Sequence, residues 1–226
     1  MHYKVNPMNK QQDQLEALNE MRDLMKRSSR FLSLSGISGI AAGVFALLGA
    51  IAAWLFLRGD LQAYFSPDEW QYGQHGAPGE SLLGFPKYYS FFIAVALLVL
   101  SCSLLAGWYF SRRKAKKQGI PFWDATAWRV LVNLSIPLAT GGFFCLVLLY
   151  YGITGLVAPS MLIFYGLALL NAGKYTLEDI RYLGISEIIL GLISTLFISY
   201  GLLFWALGFG ALHIIYGTVM YFKYER

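Results

Sequence analysis

Two ionisable side chains, Glu187 and His213, lie in strongly apolar stretches of the sequence. Ionisable groups are costly inside a membrane, so those that occur there usually face protein and serve a function. Glu187 precedes Gly201 by 14 residues and His213 follows it by 12. A tight turn at Gly201 therefore places both side chains within about 3 Å of the same depth. A Glu–His pair at that depth is suited to accepting or releasing a proton near neutral pH.

Three further polar residues, Asn133, Asn171 and Tyr216, lie toward one side of their apolar stretches and are expected to extend a polar cluster around the pair. Pro137 is expected to kink its helix and free a backbone carbonyl, because proline has no N–H to donate. The pair also has a purely structural interpretation, in which a hydrogen bond between its two side chains fixes the packing of two helices.

The elements that must position these residues are predicted to be membrane-spanning helices. Of the 226 residues, 57% are hydrophobic and 14% are charged, whereas soluble domains are about 45–50% apolar and about 25% charged. The apolar runs predict an all-α, polytopic membrane protein with six transmembrane helices arranged as three in-out-in hairpins. The predicted spans are 31–57, 89–110, 128–151, 156–172, 182–200 and 202–222.

Positive charge is distributed unevenly between the connections. Sixteen of the 18 Lys and Arg residues fall on one side of the predicted membrane, and only Arg58 and Lys87 fall on the other. The positive-inside rule then predicts that both termini are cytoplasmic. The net charge of +5 is interpreted as an orientation signal and not as a surface for nucleic acid. We expect a cell-membrane location, the bacterial inner membrane, with the lipid bilayer as the main partner.

The two longest segments outside the predicted spans are residues 1–30 and 58–88. Residues 1–30 carry Leu and Met on one helical stripe and predict a cytoplasmic amphipathic leader helix, which precedes a transmembrane domain at 31–226. Residues 58–88 form the longer outer loop, in which a short helix is predicted at 67–72. The basic run 112–117 is a topology signal or a site for anionic lipid head groups.

Small residues recur at helical spacing in three of the spans, and such stripes mark helix–helix contacts. Gly184, Glu187, Gly191 and Ser194 share one face of span five, as Ala206, Gly210, His213 and Gly217 share one face of span six. This arrangement predicts that Glu187 and His213 point into protein. The glycines assigned to helix packing, within the bundle or in a dimer, are Gly39, Gly43, Gly191, Gly210 and Gly217.

The chain contains no nucleotide-binding, hydrolase or zinc-protease motif, and one intramembrane histidine does not suit a bis-histidine haem site. We therefore expect a non-enzymatic transporter, or a ligand- or pH-responsive module, with a buried polar site between helices five and six and with neither cofactor nor metal. The alternative is an accessory or assembly subunit that binds a larger membrane partner or a second copy. A third interpretation is an intramembrane enzyme that uses Glu187 and His213 as acid and base.

Overall fold

The computed structural model describes Leu18, Met21 and residues 34–64 and 87–226. All regular structure in that part of the chain is helical, which confirms the predicted all-α class for these residues. Apart from Leu18 and Met21, the predicted leader at 1–30 lies outside the described residues. So does 65–86, which holds most of the predicted outer loop and the short helix at 67–72.

Six helices follow one another in the described residues. The first five are α1 (Gly36–Tyr64), α2 (Lys87–Gln118), α3 (Ala125–Tyr150), α4 (Val157–Ala172) and α5 (Glu178–Leu196). The sixth helix, α6, is built from three consecutive segments: α-helical Gly201–Trp205, π-helical Ala206–Leu212 and α-helical His213–Tyr224.

Helix α2 continues beyond the end at 110 that the sequence predicts, so the basic run 112–117 is helical and not a connection. Lys and Arg are good helix formers, and neither Gly nor Pro interrupts the chain between 108 and 118. The helix ends at Gln118, and the next residue, Gly119, has a φ of 65°, in the left-handed region. Beyond it the Ile120 amide donates to the Ala115 carbonyl at 3.1 Å, as in a Schellman cap.

Five helical segments of the described residues are long and apolar enough to cross a membrane, so the chain has the helices of a multi-pass membrane protein. Helix α5 is not among the five, because it carries four charged residues, three of them near its start. Large apolar side chains on the helix surfaces are widely exposed, as expected for groups that face lipid. The five segments are Gly36–Arg58, Phe91–Gln118, Ala125–Tyr150, Thr154–Tyr175 and Ile198–Tyr224.

The helices pack in two tight pairs. Helix α5 packs most extensively on α4, and α6 packs most extensively on α1. Helix α3 is attached to α4, and α2 to α1. The turn near Gly201 therefore does not make α5 and α6 each other's main partners, although they follow one another in the chain.

Glycines let both pairs approach closely. A Cβ atom on Gly43 would lie 2.7 Å from the Gly210 carbonyl oxygen, and one on Gly39 would lie 3.2 Å from Gly217 Cα. In the other pair, a Cβ on Gly184 would lie 2.8 Å from the carbonyl oxygen of Gly166 in α4. Side chains at these positions would hold the backbones apart, so glycine is required there.

The buried small face of α5 is turned toward α4. Gly184, Glu187, Gly191 and Ser194 are all buried, and a Cβ on Gly191 would contact Ile163 in α4. The corresponding glycines of α6 contact α1 instead. The glycines of the two small faces therefore do not pack on each other, and α5 and α6 meet along a narrower contact that includes Glu187 and His213.

Glu225, which follows α6, caps the start of α1. Its carboxylate accepts hydrogen bonds from the Gly36 amide and from the Ser35 hydroxyl, the latter at 3.1 Å. Lys114 in α2 donates to the Leu34 carbonyl at 2.7 Å and lies 3.7 Å from Glu225. Because Lys114 and Glu225 are largely buried, each depends on the other for a neighbouring opposite charge.

A second polar contact ties α5 to α6. Asp179, in the first turn of α5, accepts a hydrogen bond from the Tyr224 hydroxyl at 2.7 Å and lies 3.1 Å from the ammonium of Lys223. The ends of α2, α4 and α6 thus lie together with the starts of α1, α3 and α5. We call this the basic end, because Arg112, Arg113, Lys114, Lys116, Lys117, Arg129, Lys174, Arg181, Lys223 and Arg226 lie on these helix ends and connections.

Substitution of Gly217 by alanine is expected to lower the free energy of unfolding by about 1–3 kcal/mol. The added methyl would lie 2.6 Å from the Ile40 amide nitrogen and 2.7 Å from the Gly36 carbonyl oxygen, so the α1 and α6 backbones must separate. Unfolding in mixed detergent micelles measures the change. The matched control is Gly142→Ala in α3, where a Cβ would meet no atom of the described part of the chain within 4 Å and stability should be unchanged or raised by up to about 1 kcal/mol.

Substitution of Glu225 by alanine is expected to cost about 2 kcal/mol, because hydrogen bonds to a charged group are lost and Lys114 is left without its counter-charge. The same unfolding experiment tests this. Arg226→Ala is the control, since among the described residues that exposed side chain has only a cation–π contact with Phe222, at 5.5 Å, and its loss should change stability by less than about 0.5 kcal/mol. Equal effects of the two substitutions would contradict the capping role.

Candidate functional site

Glu187 and His213 lie in contact between α5 and α6. Glu187 Oε1 is 3.5 Å from His213 Nδ1. The Glu187 residue has no exposed surface and His213 is only 6% exposed. Neither carboxyl oxygen of Glu187 has a hydrogen-bond partner among the described residues. A carboxyl group that is both fully buried and without a hydrogen bond is rare and calls for an explanation.

Both ring nitrogens of His213 have close polar neighbours. Nδ1 lies 3.0 Å from the carbonyl oxygen of Gly208, and Nε2 lies 2.7 Å from the hydroxyl oxygen of Tyr165 in α4. A carbonyl oxygen can only accept, so Nδ1 must carry the proton of that hydrogen bond. In the neutral imidazole, Nε2 is then the acceptor for the Tyr165 O–H group. Tyr165 and Gly208 thereby fix the orientation of the ring.

The π-helical segment of α6 shapes the site. It runs over Ala206–Leu212, immediately before His213, and π-helical turns occur frequently at functional sites. Gly208 in this segment also makes room for the carboxyl group, because a Cβ there would lie 2.5 Å from Glu187 Oε2 and would overlap Leu162 of α4. A side chain at position 208 would displace Glu187.

Aromatic rings enclose the histidine side of the site. The Phe209 ring centroid lies 5.0 Å from that of Tyr165 and 6.1 Å from that of His213. Trp205 extends this stack, with its centroid 5.3 Å from that of Phe209. The rings shield His213 from water. They also connect His213 to Trp205, and the fluorescence of an indole depends on its surroundings.

The other predicted polar residues have their hydrogen bonds elsewhere. Asn171 donates from Nδ2 to the Asn133 carbonyl oxygen at 3.2 Å. That carbonyl is four residues before Pro137, the position that a proline leaves without its helical donor. Tyr216 lies 3.3 Å, oxygen to oxygen, from the hydroxyl of Ser186. Asn133 and Asn171 thus join α3 to α4 at the basic end, and the predicted single cluster is divided.

Sequence reasoning missed Tyr165 and Gly208. Tyr165 lies eight residues after the start of α4, whereas tyrosines that anchor a helix at the membrane surface lie near its ends. A tyrosine in the middle of an apolar span is unusual, and this position indicates that its hydroxyl has a polar partner inside the protein. Gly208 lies in a glycine-rich stretch, and only the π-helical geometry distinguishes it from its neighbours. In the described part of the chain, no group of three or more His, Cys, Asp or Glu side chains could hold a metal ion.

We expect neutral His213 to be the Nδ1-protonated tautomer, because Gly208 accepts at Nδ1 and Tyr165 donates to Nε2. The chain has three histidines, so substitution of His2 and His75 by Gln leaves His213 as the single ¹⁵N-labelled imidazole. Solid-state NMR in lipid then distinguishes the two nitrogens. Tyr165→Phe should shift the Nε2 resonance and leave Nδ1 protonated, and a signal with protonated Nε2 and bare Nδ1 would contradict the assignment.

No protein-family model, curated protein or solved structure matches this chain. The site itself has a defined chemistry. That chemistry consists of a buried carboxyl group on α5, an imidazole on α6 with neighbours at both nitrogens, and a phenol on α4 that orients it.

Proposed function

We propose that this multi-pass membrane protein is a non-enzymatic, proton-responsive module or small transporter, in which Glu187 and His213 hold the controlling proton. The main support for the proposal is the environment of the Glu187 carboxyl group. This group is fully buried, it has no hydrogen-bond partner among the described residues, and it lies 3.5 Å from His213 Nδ1. A pair that served only to fix two helices would be expected to use its hydrogen-bonding groups fully.

The Nδ1 proton of His213 has two acceptors close by. The Gly208 carbonyl oxygen is 3.0 Å away and Glu187 Oε1 is 3.5 Å away. Ionised Glu187 attracts this proton, whereas neutral Glu187 does so much less. A change in the charge of Glu187 therefore shifts the hydrogen bond of His213 between the carboxyl group and the backbone of the π-helical segment.

That shift is transmitted because the site bridges the two tight helix pairs. Glu187 and Tyr165 belong to the α4–α5 pair, and His213 belongs to the α1–α6 pair. Gly210, two residues after Gly208, contacts α1 through Leu47. A change in hydrogen bonding at the Gly208 carbonyl thus alters the segment of α6 that packs on α1. Protonation switches act on contacts of this kind, which have two alternative arrangements.

In this proposal α5 also crosses the bilayer, giving six spans in three in-out-in hairpins. Its 19 residues extend about 28 Å, close to the thickness of the hydrocarbon core. The charge of Asp179 at its start is matched by Lys223. The basic end then faces the cytoplasm together with both termini, in a cell membrane that we take to be the bacterial inner membrane.

The proton response is tested by the fluorescence of Trp205, kept as the single tryptophan, in lipid nanodiscs between pH 5 and 9. We expect a pH-dependent change in emission that Glu187→Gln abolishes, because glutamine has the same shape and does not titrate. Tyr165→Phe should move the midpoint by about one pH unit, the size typical of losing one hydrogen bond.

Ser186→Ala is the matched control, since Ser186 neighbours Glu187 but contacts Tyr216, and it should retain the wild-type curve. If Glu187→Gln and Tyr165→Phe both retain that curve as well, the proton site is ruled out. The accessory-subunit alternative would then be preferred, and it requires a stoichiometric membrane partner in mild detergent that deletion of residues 1–29 removes.

A further inference from the structure

A groove of about 840 Å³ runs along the surface between α3, α4 and the start of α5. It is separate from the Glu187–His213 site. Its lining is polar where it reaches the basic end, with Asn171, Lys174 and Arg181. Deeper along α4 the lining is apolar and includes Leu167 and Phe164. Phe164 precedes Asn171 by seven residues, so the apolar part extends about 10 Å from the polar end.

The polar end of the groove is held in place by hydrogen bonds. Asn171 is fixed by the Asn133 carbonyl that Pro137 leaves free, and its side-chain oxygen accepts from Lys174 Nζ at 3.4 Å. Lys174 and Arg181 are exposed. Glu178 also lines the groove. The three charged side chains of the lining, Lys174, Glu178 and Arg181, therefore carry a net charge of +1. The groove therefore offers cations beside an apolar channel.

We propose that this groove binds one anionic glycerophospholipid. The phosphate lies between Lys174 and Arg181, and an acyl chain follows Leu167 and Phe164 toward the centre of the bilayer. The groove is complementary to such a lipid, because its cations lie at the level of the head groups and its apolar side chains lie below them, as in basic pockets between helices that hold acidic lipids. The proposal does not depend on the proton site, because none of these residues contacts Glu187 or His213 in the described structure.

Native mass spectrometry of the detergent-solubilised protein tests this directly, with dioleoyl phosphatidylglycerol as the probe. We expect one lipid to bind more tightly than dioleoyl phosphatidylcholine, which has the same chains and no net charge. Lys174→Gln together with Arg181→Gln should weaken phosphatidylglycerol binding about 30-fold, the change expected for losing two cations near a head group.

The matched control is Lys116→Gln with Lys117→Gln, two exposed cations at the basic end outside the groove. This control should change the affinity by less than about 3-fold, because it alters only the general surface charge. Leu167→Trp fills the apolar part without changing charge and should also weaken lipid binding by about tenfold, because an acyl chain can no longer be buried there. Circular dichroism of each variant verifies that the helices are retained.

Three outcomes would overturn the proposal. Equal loss of binding in the two double variants would show general attraction to a basic surface. Equal binding of phosphatidylcholine would show that charge plays no part. If inorganic phosphate or glycerol phosphate competes fully at the concentration of the lipid, and Leu167→Trp has no effect, the ligand is a free anion and not a lipid.

Discussion

The central constraint on this structure is the burial of a carboxyl group in apolar protein. Removing such a group from water costs several kcal/mol unless neighbouring groups compensate. Three helices contribute here: α5 carries Glu187, α6 brings His213 to 3.5 Å, and α4 supplies the Tyr165 hydroxyl that orients the imidazole. No pair of these helices forms the site, so it exists only when all three have assembled.

Glycine makes this assembly possible by bringing backbones into contact on both sides of the site. The α4–α5 pair meets at Gly166 and Gly184, and the α1–α6 pair meets at Gly39 and Gly217. Each pair is close packed, whereas the contact between α5 and α6 is narrower. The polar site thus lies between two tightly packed helix pairs, at the narrower contact that joins α5 to α6.

Counting residues from Gly201 predicts a common depth for Glu187 and His213, because helical rise is uniform and the chain reverses there. The helices against which the small faces of α5 and α6 pack were less predictable. Small residues indicate that α5 and α6 each pack closely on another helix. They do not identify α4 as the partner of α5 or α1 as the partner of α6, because that pairing depends on how the helix surfaces fit in three dimensions. Likewise Pro137 predicts a free carbonyl at Asn133, whereas its donor, Asn171, comes from another helix. The π-helical segment that places Gly208 beside Glu187 has no local sequence signature.

The contact between α1 and α6 has a consequence for biosynthesis. The partner surface on α6 is more than 150 residues away from Gly39 and Gly43 in the chain, so it leaves the ribosome long after α1 has entered the membrane. Until then the glycine face of α1 lacks the α6 backbone that it contacts in the complete structure. Closing so distant a contact is slow, and a partly synthesised chain offers that face to other helices in the meantime. The packing of α1 is therefore complete only after α6 has been synthesised.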